Sequence, residues 1–175
     1  VDGPDAERFL QGQLTCDVAH LGAKQSTLGA RCNPKGRMQS SFRLHRSETG
    51  FLLSMAQELV TPQVTELSKY AASFKTSLSD QSDQWIRLGL WGEHTDKALA
   101  AADLERPAGP GQVTTTLDAR VLSLPDGAYE VWLTAGRALE ATDQLLQHSS
   151  ADNLNNWLLR QIQAGLGQVT GPTLE

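Results

Sequence analysis

Apolar positions along the chain change period repeatedly, and the pattern predicts short strands alternating with short helices. Behind Gly3-Pro4, a helix start with Gly3 as cap, Ala6, Phe9, Leu10 and Gln13 fall at i, i+3, i+4 and i+7. Gly12 weakens that helix, which should end near Leu14. Residues 26–32 and 38–45 read as strands around Asn33-Pro34-Lys35-Gly36, whose Asn first, Pro second and Gly fourth suit a type I turn. Met38, Ser40, Phe42 and Leu44 then share one face of the second strand, and Gln39, Ser41, Arg43 and His45 the other. A third strand is expected at 50–55, a helix capped by Thr61 with Val64, Leu67 and Ala71 inward, and a strand at 74–79.

The second half repeats the style without repeating a motif. It should hold a buried strand at 84–91, a helix at 94–103, a loop at 106–111, and strands at 112–117, 119–124 and 128–134, the last two joined at Pro125-Asp126-Gly127. Helices follow at 137–147 and about 153–164. The last is read with Asp152 as cap, Leu154, Trp157, Leu158 and Ile162 inward, and Gly165 as the stop. Hairpin-joined strands separated by helices predict an α+β fold of antiparallel sheets with helices packed on them. The expected organisation is 1–82 as a first α+β half, 83–150 as a second, and 151–175 as a helix and tail.

Composition narrows the classes. Among 175 residues, 39% are hydrophobic and 20% charged, which suits a packed core rather than disorder. A net charge of −5 argues against direct nucleic-acid binding. No apolar run is long enough to span a membrane, and two cysteines make no disulfide framework, so a reducing, cytoplasmic setting is expected. Val1 and the end at Gly171-Pro172-Thr173-Leu174-Glu175 read as cuts within a longer protein.

Familiar chemical signatures are missing: the chain has no dinucleotide fingerprint, phosphate loop or nucleophile elbow. Cys16, His20 and Cys32 fit no standard zinc spacing and lack a fourth ligand, so no metal site is expected. His45, His94 and His148 stand far apart, as surface or capping residues. The turn carrying Lys35 and Arg37 is either a solvated hairpin tip or a seat for a carboxylate or phosphate, with backbone N–H groups free to help. Asp17 either turns the chain after the first helix or accepts from a polar ligand. Gln11 and Gln13 carry amides of the kind that read a heterocycle. Trp157 and Arg160 either belong to the core or line the same cleft.

Three stretches together resemble YgfZ-type proteins, folate-binding relatives of the glycine cleavage T-protein. They are Asp5-Ala6-Glu7-Arg8-Phe9-Leu10-Gln11-Gly12-Gln13-Leu14-Thr15-Cys16-Asp17-Val18, Cys32-Asn33-Pro34-Lys35-Gly36-Arg37-Met38 and Gln161-Ile162-Gln163-Ala164-Gly165. The resemblance implies an aminomethyltransferase-like folate-binding fold around a central cavity, with tetrahydrofolate or a derivative as cofactor. It implies Gln11, Gln13, Asp17, Lys35, Arg37 and Met38 as its binding residues, the two cations facing the anionic glutamyl tail. It also implies a role in iron–sulfur cluster maintenance and tRNA modification, with clients such as tRNA methylthiotransferases.

Two departures separate the chain from the T-protein. The hairpin's aspartate pair is Ser40 and Ser41, and an Arg-Leu-Glu-Ala-Gly stretch is Gln161-Ile162-Gln163-Ala164-Gly165. A hydroxyl supplies neither the charge nor the general base of a carboxylate. The leading expectation is therefore a folate-binding auxiliary protein with no catalytic residue assigned. A tetrahydrofolate-dependent one-carbon transferase would need Asp17 or Glu175 as its carboxylate. A third reading is an interaction module whose cavity is vestigial. The YgfZ signature Lys-Gly-Cys-Tyr-x-Gly-Gln-Glu is not in the chain, and neither Cys16 nor Cys32 replaces its cysteine.

Overall fold

A computed structural model describes residues 1–174. The chain divides into two compact units: Val1–Asp80 with the returning segment from Gln168, and Gln81–Gly167.

The first unit is a three-stranded antiparallel sheet in the order β1-β2-β3, formed by Ser26–Cys32, Met38–Arg46 and Phe51–Ser54. Helices α1 (Ala6–Gln11) and α2 (Gln57–Ala71) supply its other elements. Phe9 and Leu10 from α1, Leu67 and Ala71 from α2, and Phe42, Leu44 and Phe51 from the sheet form one apolar core. The alternation read along β2 holds from Ser40 onward, where Phe42 and Leu44 point into that core, and is broken before it at Gln39. Arg43 and His45 on the opposite face are buried as well, at 6% and 1% exposure.

Several expectations for this unit fail. Helix α1 starts at Ala6 behind Asp5, so Gly3 is not its cap and Pro4 lies before it, and His45 is buried rather than a surface or capping residue. Helix α2 starts at Gln57, so Pro62 lies inside it and Thr61 is not its cap. The extra turn forms because Leu59 is buried with Ala56 and Val169, a contact made far along the chain. The strand expected at 74–79 is a single bridge, Ser77 to Asp2; the Asp5 N–H also reaches Lys75 O, but no ladder follows among the described residues.

The second unit is a four-stranded antiparallel sheet in the order β4-β7-β6-β5, formed by Trp85–Leu90, Tyr129–Thr134, Ala119–Ser123 and Val113–Thr115. Helices α3 (Thr95–Ala101) and α4 (Ala135–Leu145) share a core with it through Leu99, Val121, Val131, Leu133 and Ala141. β4 is an edge strand, and Ile86 is 45% exposed rather than buried as expected.

Helix α5 (Leu154–Gln163) is capped by Asn153, whose side chain accepts from the Asn156 N–H. Asp152 accepts instead from the Asn156 side-chain amide. The helix ends at Gly165 as expected: the Leu166 N–H reaches Gln161 O and the Gly165 N–H reaches Ile162 O. Its orientation matches the expected one at Trp157 but not at the three aliphatic positions. Leu154, Leu158 and Ile162 are 68%, 36% and 69% exposed. Trp157 lies over Gly89, where a Cβ would come within 2.3 Å of the indole, so a flat backbone is needed beneath the ring. Arg160 grips the β6–β7 turn through Asp126, carboxylate and carbonyl both, at 2.8 and 2.9 Å. Neither Trp157 nor Arg160 is free to swing.

Candidate functional site

The chain between α1 and β1 is held by side chains of its own motif. Gln11 Oε1 accepts the N–H groups of Val18 and Ala19, at 2.7 and 2.9 Å. Thr15 clips the loop to β1 twice: its N–H donates to Ala30 O, and its Oγ1 accepts the Ala30 N–H, both at 2.9 Å. That clip satisfies one residue of an otherwise open sheet edge. Asp17 accepts the His20 N–H and pairs with the His20 ring, at 3.2 and 2.8 Å. These bonds hold its carboxyl below the usual carboxylate range, the backbone N–H contributing most. Gln13 is half-buried on the same loop. Cys16 packs against the unit's core, and burial pushes its thiol pKa up, which leaves it a poor nucleophile.

The β1–β2 hairpin is organised by one residue. Asn33 Oδ1 accepts the N–H groups of Lys35 and Arg37, at 2.9 and 3.1 Å, and its carbonyl accepts the Gly36 N–H at 2.9 Å. The backbone donors expected to serve an anion at this tip are thus already engaged. Gly36 takes a φ of 77°, a conformation that favours glycine. After the tip, Cys32 pairs with Met38 but Arg31 pairs with Ser40, so Gln39 is an extra residue that bends the strand. The side chains of Lys35, Arg37 and Met38 stand on this fixed frame, all exposed, with Met38 at 53%.

The two serines behind the hairpin differ. Ser41 Oγ accepts the Val169 N–H at 2.7 Å, which ties the returning segment to the sheet. A second tie joins the Gly171 N–H to Glu58 on α2, and it lowers the pKa of that carboxyl. Ser40 is 1% exposed, and its hydroxyl has no hydrogen-bond partner among the described residues. Of the two carboxylates considered for one-carbon chemistry, Asp17 is engaged with His20 and Glu175 lies outside the described residues. Among the described residues no cluster of His, Cys, Asp or Glu could hold a metal ion. Among the described residues no helix is long and apolar enough to cross a membrane.

Sequence reasoning read Asn33 as the first residue of the turn but missed Thr15 as a clamp. Both carry much of the local geometry. Thr15 is a Thr beside a turn, where side-chain bonding to backbone is common, and that was the available signal.

Comparison with known proteins fixes the kinship. No protein-family model matches the chain. The tRNA-modifying protein YgfZ of Enterobacter sp. (strain 638) is 37% identical over 176 residues, covering 95% of this chain and 51% of the relative. Those of Shigella sonnei (strain Ss046) and Escherichia coli (strain K12 / DH10B) are 32% identical over 167 residues, covering 94% of this chain and 51% of each relative. The chain is similar to YgfZ over nearly its whole length.

Its fold is that of the T-protein. The glycine cleavage system aminomethyltransferase T from Bartonella henselae matches with a TM-score of 0.73 at 24% identity, over 83% of this chain and 41% of that one. The α+β aminomethyltransferase-like architecture expected from the sequence is therefore present. The chain spans about half the length of the YgfZ relatives it matches.

Proposed function

We propose that this chain is the folate-binding part of a YgfZ-length auxiliary protein that supports tRNA modification by maintaining iron–sulfur enzymes, tRNA methylthiotransferases among them. The observation that carries the reading is the hairpin: an Asn33-fixed frame that displays Lys35, Arg37 and Met38 within a chain similar to YgfZ on a T-protein fold. Tetrahydrofolate or a derivative is the proposed ligand. Its glutamyl tail would meet the Lys35 and Arg37 cations, and Met38 and Gln13 would lie against its less polar part. Gln11 and Asp17 would serve by fixing the loop that presents Gln13. The proposed setting is the cytoplasm. The net charge of −5 favours protein clients over RNA itself.

The reading is non-catalytic. Serines stand where an aminomethyl transferase would place its carboxylates; Ser41 is bonded to the chain, and Ser40 is a neutral hydroxyl. Neither takes a proton at neutral pH.

The test is a calorimetric titration with reduced folate. Saturable binding that weakens tenfold or more in the Lys35→Ala, Arg37→Ala double variant, at unchanged melting temperature, is expected. Binding indifferent to both cations would move the ligand away from the hairpin. Glycine-cleavage turnover by the protein with Ser40 and Ser41 intact would overturn the non-catalytic reading.

A further inference from the structure

Helix α5 rests on its sheet through Trp157 and Arg160, and none of its ten residues is buried. Leu154, Leu158 and Ile162, at i, i+4 and i+8, form one row beside that contact, and Leu159 widens it. They are 36–69% exposed. Such a row on an otherwise well-capped helix is a surface made to be covered.

A second copy of the chain is a poor cover. A ten-residue helix is only about 15 Å long. Four side chains on it fall well short of the roughly 800 Å² per partner that a stable dimer needs. A segment of the same polypeptide needs far less area, because the linkage has already brought it near. The YgfZ relatives are about twice as long as the matched region, so as much chain again accompanies this fold in each of them.

We propose that the Leu154–Leu158–Ile162 row is the docking seam for the remaining half of a YgfZ-length polypeptide. This rests on the reading, made above, that the chain is part of such a protein. The seam joins that half to the second unit, through the helix that Arg160 and Asp126 hold in place.

The test compares one pair of substitutions, Leu158→Glu with Ile162→Glu, in the 175-residue chain and in the longer product of the same gene. Leu139→Glu on α4, at a position 78% exposed, is the control. In the short chain the pair should leave the melting temperature within about 1 °C, since it changes exposed residues. In the longer product it should lower it by about 5 °C or more, with the control silent in both. The milder Leu154→Gln should give a smaller loss of the same sign, which keeps the test readable if the pair prevents folding. A pair that is silent in the longer product overturns the seam and leaves the YgfZ-length reading standing. A gene that ends at Glu175 defeats both. A short chain that sediments as a dimer and is dissociated by the pair assigns the row to a second copy and overturns the proposal.

Discussion

The loop after α1 and the tip of the β1–β2 hairpin both carry YgfZ-like motifs, yet they use their polar residues in opposite ways. Around the loop, Gln11, Thr15 and Asp17 all bond to backbone: Gln11 and Asp17 close it on itself and Thr15 clips it to β1. At the hairpin Asn33 holds the backbone, and the longer residues around it are exposed. A motif thus mixes residues that build a surface with residues that form it. The sorting rests on which side chains hold nearby backbone N–H groups.

The sharpest way to break this contrast is Gln11→Ala. It leaves the Val18 and Ala19 N–H groups without their acceptor, the first of them partly buried, and should cost about 1–3 kcal/mol in denaturant unfolding. Folate affinity measured well below the melting point should change less than stability does. A variant of normal stability that binds no folate would make Gln11 a ligand contact instead.

Thr15→Val sharpens the same point with a smaller effect. Its shape is kept and only the acceptor for the Ala30 N–H is removed, so a loss of about 1 kcal/mol is expected. Faster amide exchange at Ala30 should accompany it. Asn33→Ala should cost less again, about 0.5–1 kcal/mol, because the Lys35 and Arg37 N–H groups are exposed and water replaces the lost acceptor. Its signature should be a binding loss larger than its stability loss, since the frame under Lys35 and Arg37 loosens. Equal losses would reduce Asn33 to an ordinary turn residue.

How much of this was legible in the sequence depended on the reach of the interaction. The hairpin could be read because Asn33, Pro34 and Gly36 act within four residues. The strand faces of β2 could be read because alternation is local. The start of α2 could not, since Leu59 is buried by Val169, more than a hundred residues later. Helix α5 was legible as a helix but only partly in orientation. Trp157 meets the sheet as expected, but Leu154, Leu158 and Ile162 are exposed: Trp157 on Gly89 and Arg160 on Asp126 fix which side packs, and both partners come from other strands and turns. The candidate site had the same limit. Asp17 turns the chain after α1, as one of its two readings had it, but the partners of Gln11 are backbone N–H groups, which a residue string does not display.

The smallest expected effect is one of pH, and it bears on the loop alone. The Asp17 carboxylate is charged in its bonds to the His20 N–H and ring, and its pKa lies below the ordinary value. A carboxyl depressed by folding contributes stability above its unfolded pKa, about 3.9, and that contribution is lost as pH falls through the lowered folded value. Both side chains are largely exposed, so the contribution is small and screened by salt. Asp17→Asn keeps an oxygen for the His20 N–H but removes the charge. The variant should therefore be slightly less stable than the parent at pH 6, and more nearly equal in high salt. The difference should vanish once the pH falls well below that lowered value, where the parent's carboxyl is also neutral. The hairpin, held by the uncharged Asn33, should show no such step in the amide exchange of Lys35 and Arg37. A stability gap that persists unchanged at low pH would mean that Asp17 holds the loop by shape rather than charge. The loop and the hairpin would then be fixed by the same means.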